Sequence, residues 1–113
     1  MITKAGNPPK SYAFCSDTAY SESIVPLIKD VDVLYHESTF LEKNKKLAAP
    51  TKHSTAKQAA IIAKKANAKT LVLGHFSTRY DDLNDFKKEA NTIFDNVELA
   101  EEGKVFEFKN HIF

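Results

Sequence analysis

The sequence lacks the features of a small secreted domain and of a membrane protein. Cys15 is the single cysteine among 113 residues, which excludes an internal disulfide and a cysteine-based zinc finger. We therefore expect a cytoplasmic protein. No stretch approaches about 18 consecutive apolar residues, so no transmembrane helix is predicted. The opening MITKAGNPPK has no apolar core, and we expect no secretory signal there.

Glycine, proline and net charge are also low. Three glycines and four prolines are too few for a collagen-like or low-complexity chain. Sixteen basic residues against fifteen acidic ones leave a formal charge of +1. A chain so close to neutral lacks the basic excess of a domain that binds nucleic acid by itself. A nucleic-acid substrate could still be held by another chain or segment. Hydrophobic residues make up 42% of the chain, which predicts one globular domain, residues 1–113, with a modest core.

Short apolar runs alternate with amphipathic segments, a pattern that predicts an α/β layered domain. We predict buried strands at residues 12–15, 31–35 and 70–73. The clearest helix covers residues 55–66, because Thr55 and Gln58 have capping-box spacing and one face is apolar. That face consists of Ala56, Ala59, Ala60, Ile62, Ala63 and Ala66.

Three further helices and a hairpin complete the predicted order. One helix begins at residue 21 or 23 and ends at residue 29, and a short one lies within residues 40–52. A third begins at Asp81 or Asp82 and carries an apolar stripe. Residues 97–100 and 105–108 read as a hairpin, which would make the sheet mixed.

Polar side chains follow each of the three predicted strands. Asp17 follows the first, His36 and Glu37 follow the second, and His75 follows the third. Because ligand sites of α/β sheets form at the carboxyl ends of strands, we expect these side chains to converge. His53 precedes the clearest helix, whose free N–H groups favour an anion. Three of the four histidines would therefore meet two carboxylates in a metal or phosphate site.

Four of these residues also have an ordinary structural explanation, and His75 is the strongest single candidate. Asp17 fits a turn or helix cap, His36 a strand end with a local hydrogen bond, and His53 the flank of a cap. Glu37 fits the acidic first turn of a helix. A non-catalytic α/β interaction module is therefore an alternative. It would scatter these side chains over more than ~15 Å, whereas the ions of a two-metal site lie roughly 4 Å apart.

Four motifs resemble the carboxyl-terminal portion of ribonuclease Z, the transfer-RNA 3′-processing endonuclease of the metallo-β-lactamase superfamily. They are CSDT, HEST, HSTAKQAA and GHFSTRY, at residues 15–18, 36–39, 53–60 and 74–80. Their order and gaps are similar to those of the family's S-G-D-T, H-E-A-T, H-S-T and H-x-S-x-R-Y. The resemblance implies the carboxyl-terminal half of an αββα sandwich: one mixed sheet with covering helices, the amino-terminal half being absent.

The resemblance also implies a role for each matching residue. Asp17 would bridge two zinc ions, and His75 would be a ligand of the second ion. His53 would donate a proton to the leaving 3′-oxygen, with Glu37 orienting its ring. Arg79 would face the scissile phosphate. The cofactor would be Zn²⁺, two ions per complete site, and the substrate of the full-length enzyme would be precursor transfer RNA.

The departures from the family pattern concern both single residues and whole motifs. Ser16 replaces the family's glycine, and Ser38 replaces its alanine. The family's H-x-H-x-D-H motif, a further upstream histidine ligand and the protruding transfer-RNA-binding arm are missing. We therefore expect the isolated chain to be inactive. The inner face of the sheet would be uncovered, which predicts self-association or association with the missing amino-terminal half. Separately, we expect no membrane contact.

A second catalytic reading uses the same fold. Other metallo-β-lactamase-fold hydrolases, such as arylsulfatase-like or phosphodiesterase relatives, share ligands like Asp17 and His75. The HEST and HST pair favours the ribonuclease.

Overall fold

The computed structural model describes residues 11–16 and 19–100, which form one sheet with helices packed against it. Four parallel strands lie side by side in chain order: β1 (Tyr12–Cys15), β2 (Val33–Glu37), β3 (Thr70–Gly74) and β4 (Val97–Leu99). The connections carry two 3₁₀ helices, Glu22–Ile28 and Glu42–Asn44, and the helices α1 (Lys45–Ala48), α2 (Ala56–Ala66) and α3 (Asn84–Asn91).

The strand order explains where the core lies. Right-handed crossovers between strands that follow one another in order advance in one direction, so they deliver their helices to the same face. Leu34, Leu71 and Leu73 of the sheet are fully buried there against α2 and against Phe86 of α3. The opposite face carries aromatic side chains, among them Phe14, which is 42% exposed. These observations confirm an α/β layered fold.

The prediction for α2 is confirmed in detail. The backbone N–H of Gln58 donates to Thr55 Oγ1 at 3.1 Å, and the backbone N–H of Thr55 donates to Gln58 Oε1 at 2.9 Å. The helix ends at Asn67, which adopts the left-handed conformation with φ 57°. All six residues of the predicted apolar face are 0% exposed, and their small side chains let the helix lie close to the sheet.

The predicted second strand, residues 31–35, was wrong by two residues at each end. The strand is Val33–Glu37, because its backbone pairs with β3 from Val33 opposite Thr70 to Glu37 opposite Gly74. Polar side chains at positions 36 and 37 suggested a loop. Pairing with β1 continues the strand to His36, and pairing with β3 continues it to Glu37. Both polar side chains are buried. His36 and Glu37 are therefore strand residues on opposite faces.

The remaining elements differ from the predictions only locally. The helix before β2 is a 3₁₀ helix containing Pro26, whose missing N–H disfavours a regular α-helix there. Helix α3 begins at Asn84, and the Asp82 carboxylate accepts a hydrogen bond from the Asn84 N–H at 2.9 Å. The second strand of the predicted hairpin lies outside the described residues, and the strands within them are all parallel. Across residues 11–16 and 19–100, the helices lack the length and apolar character needed to cross a bilayer.

Candidate functional site

Three loops are held together at the carboxyl end of the sheet. The Ser38 N–H donates to the Gly74 carbonyl at 2.7 Å, and the Ser77 N–H donates to the Thr39 carbonyl at 2.9 Å. An isolated parallel bridge joins Phe40 to Thr55, directly before α2. The loops after β2 and β3 and the amino terminus of α2 therefore form one rim.

Glu37 occupies the centre of this rim with a side chain that is 0% exposed. Its Oε1 accepts hydrogen bonds from His53 Nδ1 at 3.0 Å and from the Ser54 N–H at 2.9 Å. Its Oε2 accepts from the Thr39 N–H at 3.0 Å and from Thr39 Oγ1 at 2.8 Å. Four donors compensate the burial of the carboxylate and lock its orientation.

His53 lies between this carboxylate and the surface. Its side chain is 21% exposed, and Nδ1 is held by Glu37. The backbone N–H of His53 donates to the Ala48 carbonyl of α1 at 2.8 Å, which fixes the residue before α2. Its ring stacks on that of His75, with centroids 5.1 Å apart and an interplanar angle of 24°. A histidine held by a carboxylate in this way is chemically able to take part in proton transfer.

His75 reaches the site through an unusual backbone conformation. It has φ 60°, a left-handed value that non-glycine residues rarely adopt. Thr39 Oγ1 lies 2.9 Å from His75 Nδ1. The neighbouring Gly74 has a spatial role, because a Cβ there would overlap the Tyr35 ring and hydroxyl.

Glu37, His53 and His75 together form a candidate metal site, because one ligand atom from each lies within 4.8 Å of the others. The hydrogen bonds weigh against Glu37 as a ligand. Both of its oxygens already accept two donors each, two of them backbone N–H groups. A cation bound by this carboxylate would have to displace some of these hydrogen-bond donors. Glu37 is better described as the hydrogen-bond centre that orients both histidines.

His36 does not join the site, contrary to the expectation that three histidines converge. Since strand side chains alternate, it lies on the helix side of the sheet and is 1% exposed. Its Nδ1 lies 2.8 Å from the Glu37 carbonyl. Its buried Nε2 has no hydrogen-bond partner in the described part of the chain. Burial lowers the pKa of the His36 imidazole below its usual value, so the ring is neutral.

Arg79 and His53, the histidine of the dyad with Glu37, both contact the Phe40 ring. Its guanidinium carbon is 5.6 Å from the centroid of the Phe40 ring, and that ring is edge-on to His53 with centroids 6.3 Å apart. Asp17 lies outside the described residues, and its place relative to His75 stays a prediction. The adjacent Ser16 does not have a positive φ, so the serine is accommodated where the family has glycine.

Sequence reasoning missed Thr39, which contacts both Glu37 and His75. The residue stood within the HEST motif but received no role. The signal was its position two residues after Glu37, at the end of the strand. Only the fold brings the loop with His75 to the same hydroxyl.

Comparison with solved structures defines the class of fold. The metallo-β-lactamase fold protein YhfI from Bacillus subtilis matches with a TM-score of 0.74 and 26% identity, over 89% of this chain and 40% of that one. The short form of human tRNase Z matches with a TM-score of 0.55 and 36% identity, over 72% and 26% of the two chains. The chain thus has the fold of the carboxyl-terminal half of a metallo-β-lactamase domain.

Curated sequences identify the family more closely. Ribonuclease Z of Parabacteroides distasonis is 54% identical over 102 residues, which are 90% of this chain and 34% of the relative. Ribonuclease Z of Cytophaga hutchinsonii is 52% identical over 103 residues, or 91% and 33% of the two chains. No protein-family model matches. The chain spans about a third of the length of these relatives. The resemblance to the carboxyl-terminal portion of ribonuclease Z is confirmed.

Proposed function

We propose that this chain is the carboxyl-terminal part of a zinc-dependent endoribonuclease. The whole enzyme would remove 3′ trailers from precursor transfer RNA by phosphodiester hydrolysis and leave a 3′-hydroxyl. The observation that carries the proposal is the buried Glu37 carboxylate, which binds His53 directly and is joined to His75 through Thr39. Relatives named ribonuclease Z at 54% and 52% identity support the choice of reaction.

His53 is the proposed general acid. The Glu37 carboxylate 3.0 Å from Nδ1 selects the tautomer with hydrogen on that nitrogen and fixes the orientation of the ring. The proton on Nε2 of the imidazolium is then directed away from Glu37. Its transfer to the 3′-oxygen would neutralise the alkoxide as the phosphorus–oxygen bond breaks. In this step Glu37 orients the His53 ring and does not itself transfer the proton to the 3′-oxygen.

His75 and Asp17 are the proposed zinc ligands of this chain. An imidazole whose other nitrogen is held by a hydrogen bond is the usual form of a histidine ligand, and His75 has this form through Thr39. Zinc, when bound, would supply an activated water and neutralise charge on the phosphate. Catalytic zinc is usually held by about three protein ligands. We infer that the remaining ligands come from the part of the relatives that this chain does not span.

Arg79 is the proposed phosphate contact. A guanidinium can bind two phosphate oxygens at once while keeping its charge at any relevant pH. The Phe40 ring, 5.6 Å from the guanidinium carbon, contributes a cation–π contact to Arg79, and the same ring is edge-on to His53. The scissile phosphate would therefore lie between the guanidinium and the general acid.

The missing ligands imply a partner for this chain. We propose that it functions with the amino-terminal part of such an enzyme, and that alone it is inactive and retains zinc weakly. Phe14 and Tyr35, with ring centroids 5.6 Å apart, belong to the sheet face opposite the described helices and would contribute to that contact or to self-association. Sedimentation of the isolated chain should show association at high concentration. A compact monomer at all concentrations contradicts this part of the proposal.

The test is a chimera in which this chain replaces the carboxyl-terminal third of Parabacteroides distasonis ribonuclease Z. We expect it to cleave a precursor transfer RNA at the 3′ trailer, whereas the isolated chain does not. His53→Ala should lower kcat by roughly 100-fold or more, the usual share of a general acid. Lys88→Ala, an exposed change on α3, is the matched control and should leave the rate unchanged.

Two outcomes would contradict the proposal in different ways. A folded, zinc-loaded chimera that hydrolyses a simple phosphodiester but not precursor transfer RNA would indicate a different hydrolase of this fold. Full activity of the His53→Ala chimera would remove the dyad from the mechanism. Comparing Arg79→Ala with Arg79→Lys tests the phosphate contact, since KM should rise more in the first variant than in the second.

A further inference from the structure

The Thr39 hydroxyl lies between Glu37, which binds His53, and His75, the proposed zinc ligand. Thr39 Oγ1 is 2.8 Å from Glu37 Oε2 and 2.9 Å from His75 Nδ1. Its backbone N–H also donates to Glu37 Oε2, at 3.0 Å. The residue is 7% exposed, so water does not replace its hydroxyl easily. Three hydrogen bonds therefore link one buried threonine to Glu37 and His75.

Counting protons decides the direction of these hydrogen bonds. A threonine hydroxyl has one hydrogen, and an ionised carboxylate accepts only. The hydroxyl hydrogen must therefore point to Glu37 Oε2, and Thr39 Oγ1 receives a hydrogen from His75 Nδ1. This leaves Nε2 as the nitrogen without hydrogen in the neutral His75 ring. His53 also donates through Nδ1 to the same carboxylate.

We propose that Thr39 is a positioning residue that extends the orienting effect of Glu37 from His53 to His75. One buried carboxylate thereby selects the same tautomer in both rings, directly in His53 and through the threonine hydroxyl in His75. The importance of the His75 tautomer for catalysis rests on the proposed function, because a metal binds His75 Nε2 only if the chain belongs to a zinc enzyme. The tautomer itself does not depend on that function.

The surrounding backbone makes Thr39 suited to this task. The Ser77 N–H donates to its carbonyl at 2.9 Å, which ties the loop of His75 to the loop of Thr39. His75 keeps its left-handed backbone conformation, φ 60°, between this bond and the strand pairing of Gly74. A β-branched side chain with a restricted χ1 holds the hydroxyl at one place between the two loops.

The first test needs no substitution. The full chain, labelled with ¹⁵N in its histidine rings and free of metal, is studied by NMR at about pH 8, above the ordinary histidine pKa. We expect both His53 and His75 to carry hydrogen on Nδ1. If His75 carries its hydrogen on Nε2 instead, the proposal is wrong, whatever the activity of the enzyme.

The second test compares a substitution that keeps the hydroxyl with one that removes it. Thr39→Ser keeps the hydroxyl and should keep His75 as the Nδ1–H tautomer. Thr39→Val removes the hydroxyl at nearly constant volume and should shift His75 toward the Nε2–H tautomer, while His53, held by Glu37 directly, stays unchanged. An unchanged His75 tautomer in a folded Thr39→Val chain overturns the proposal. If that variant does not fold, the measurement on the unsubstituted chain decides.

The chimera then tests whether the His75 tautomer affects zinc binding. Thr39→Val should weaken zinc retention in equilibrium dialysis by about 10-fold to 100-fold, the usual effect of removing an outer-shell partner, and Thr39→Ser should restore most of it. A chimera that is inactive with every residue intact refutes the proposed function but leaves the tautomer result standing. Unchanged zinc retention in a folded Thr39→Val chimera refutes the link to the metal.

Discussion

Two neighbouring residues of β2, Glu37 and His36, are both buried but have opposite surroundings. Glu37 accepts four hydrogen bonds on the side of the candidate site. His36 lies on the helix side, where its Nε2 has no partner among the described residues. Burial of a titratable group therefore does not mark function by itself. The informative feature is a buried charge whose partners are themselves groups capable of catalysis.

The strongest way to break this comparison is Glu37→Gln. The glutamine amide places an NH₂ group where one carboxylate oxygen accepted hydrogen bonds. Because each oxygen accepts from one backbone N–H, at least one backbone N–H loses its acceptor. We expect the free energy of unfolding to fall by about 2 kcal/mol or more, measured by urea denaturation of the chain. In the chimera, kcat should fall about as far as in His53→Ala. A folded Glu37→Gln protein with unchanged stability would show that the four bonds contribute little.

Gly74→Ala tests the packing on the Glu37 side. The added Cβ would overlap the Tyr35 ring, so the backbone that carries His75 must move. We expect a loss of about 1–3 kcal/mol in unfolding free energy. The double variant Gly74→Ala with Tyr35→Leu should recover part of the loss, because the two residues are in contact. Additive effects would contradict the overlap.

Glu89 is a second carboxylate that accepts hydrogen bonds from backbone N–H groups, but its described hydrogen bonds include none from a histidine. Its Oε1 accepts from the Glu42 N–H at 2.9 Å and its Oε2 from the Lys57 N–H at 2.8 Å, which joins α3 to the start of α2. Glu89→Gln should lower the unfolding free energy by about 1 kcal/mol. It should leave the His53 and His75 tautomers unchanged. A tautomer change would mean that the site depends on the whole layer of helices rather than on Glu37.

His36→Leu should have the smallest effect near neutral pH and a larger one in acid. In the folded chain, burial lowers the pKa of His36, whereas the unfolded chain has the ordinary value of about 6.5. Below about pH 6.5 the unfolded state binds a proton at His36 that the folded state does not bind. The stability that neutral His36 contributes is therefore fully present above this pH and is lost as the pH falls. The variant should show a flatter dependence between about pH 7 and pH 5, measured by thermal unfolding. Equal slopes would contradict a neutral buried His36.

Local sequence signals predicted those parts of the fold that local forces determine. Helix α2 is an example, because the capping pair Thr55 and Gln58 and the alanine face depend on neighbours within a few residues. The end of β2 depends instead on backbone pairing with β1 and β3, which local polarity at His36 and Glu37 did not reveal. The side chain of His36 was misplaced for the same reason.

By itself, the sequence determined the order of strands and helices, the four motifs and the chemical types available for a site. Tertiary structure alone decided that Thr39 shares its hydroxyl between Glu37 and His75, which are 38 residues apart in number but meet on one rim. The physical reason is that hydrogen-bond partners across a sheet are selected by strand register and by left-handed turns such as that at His75. Residue spacing along the chain does not encode those distances.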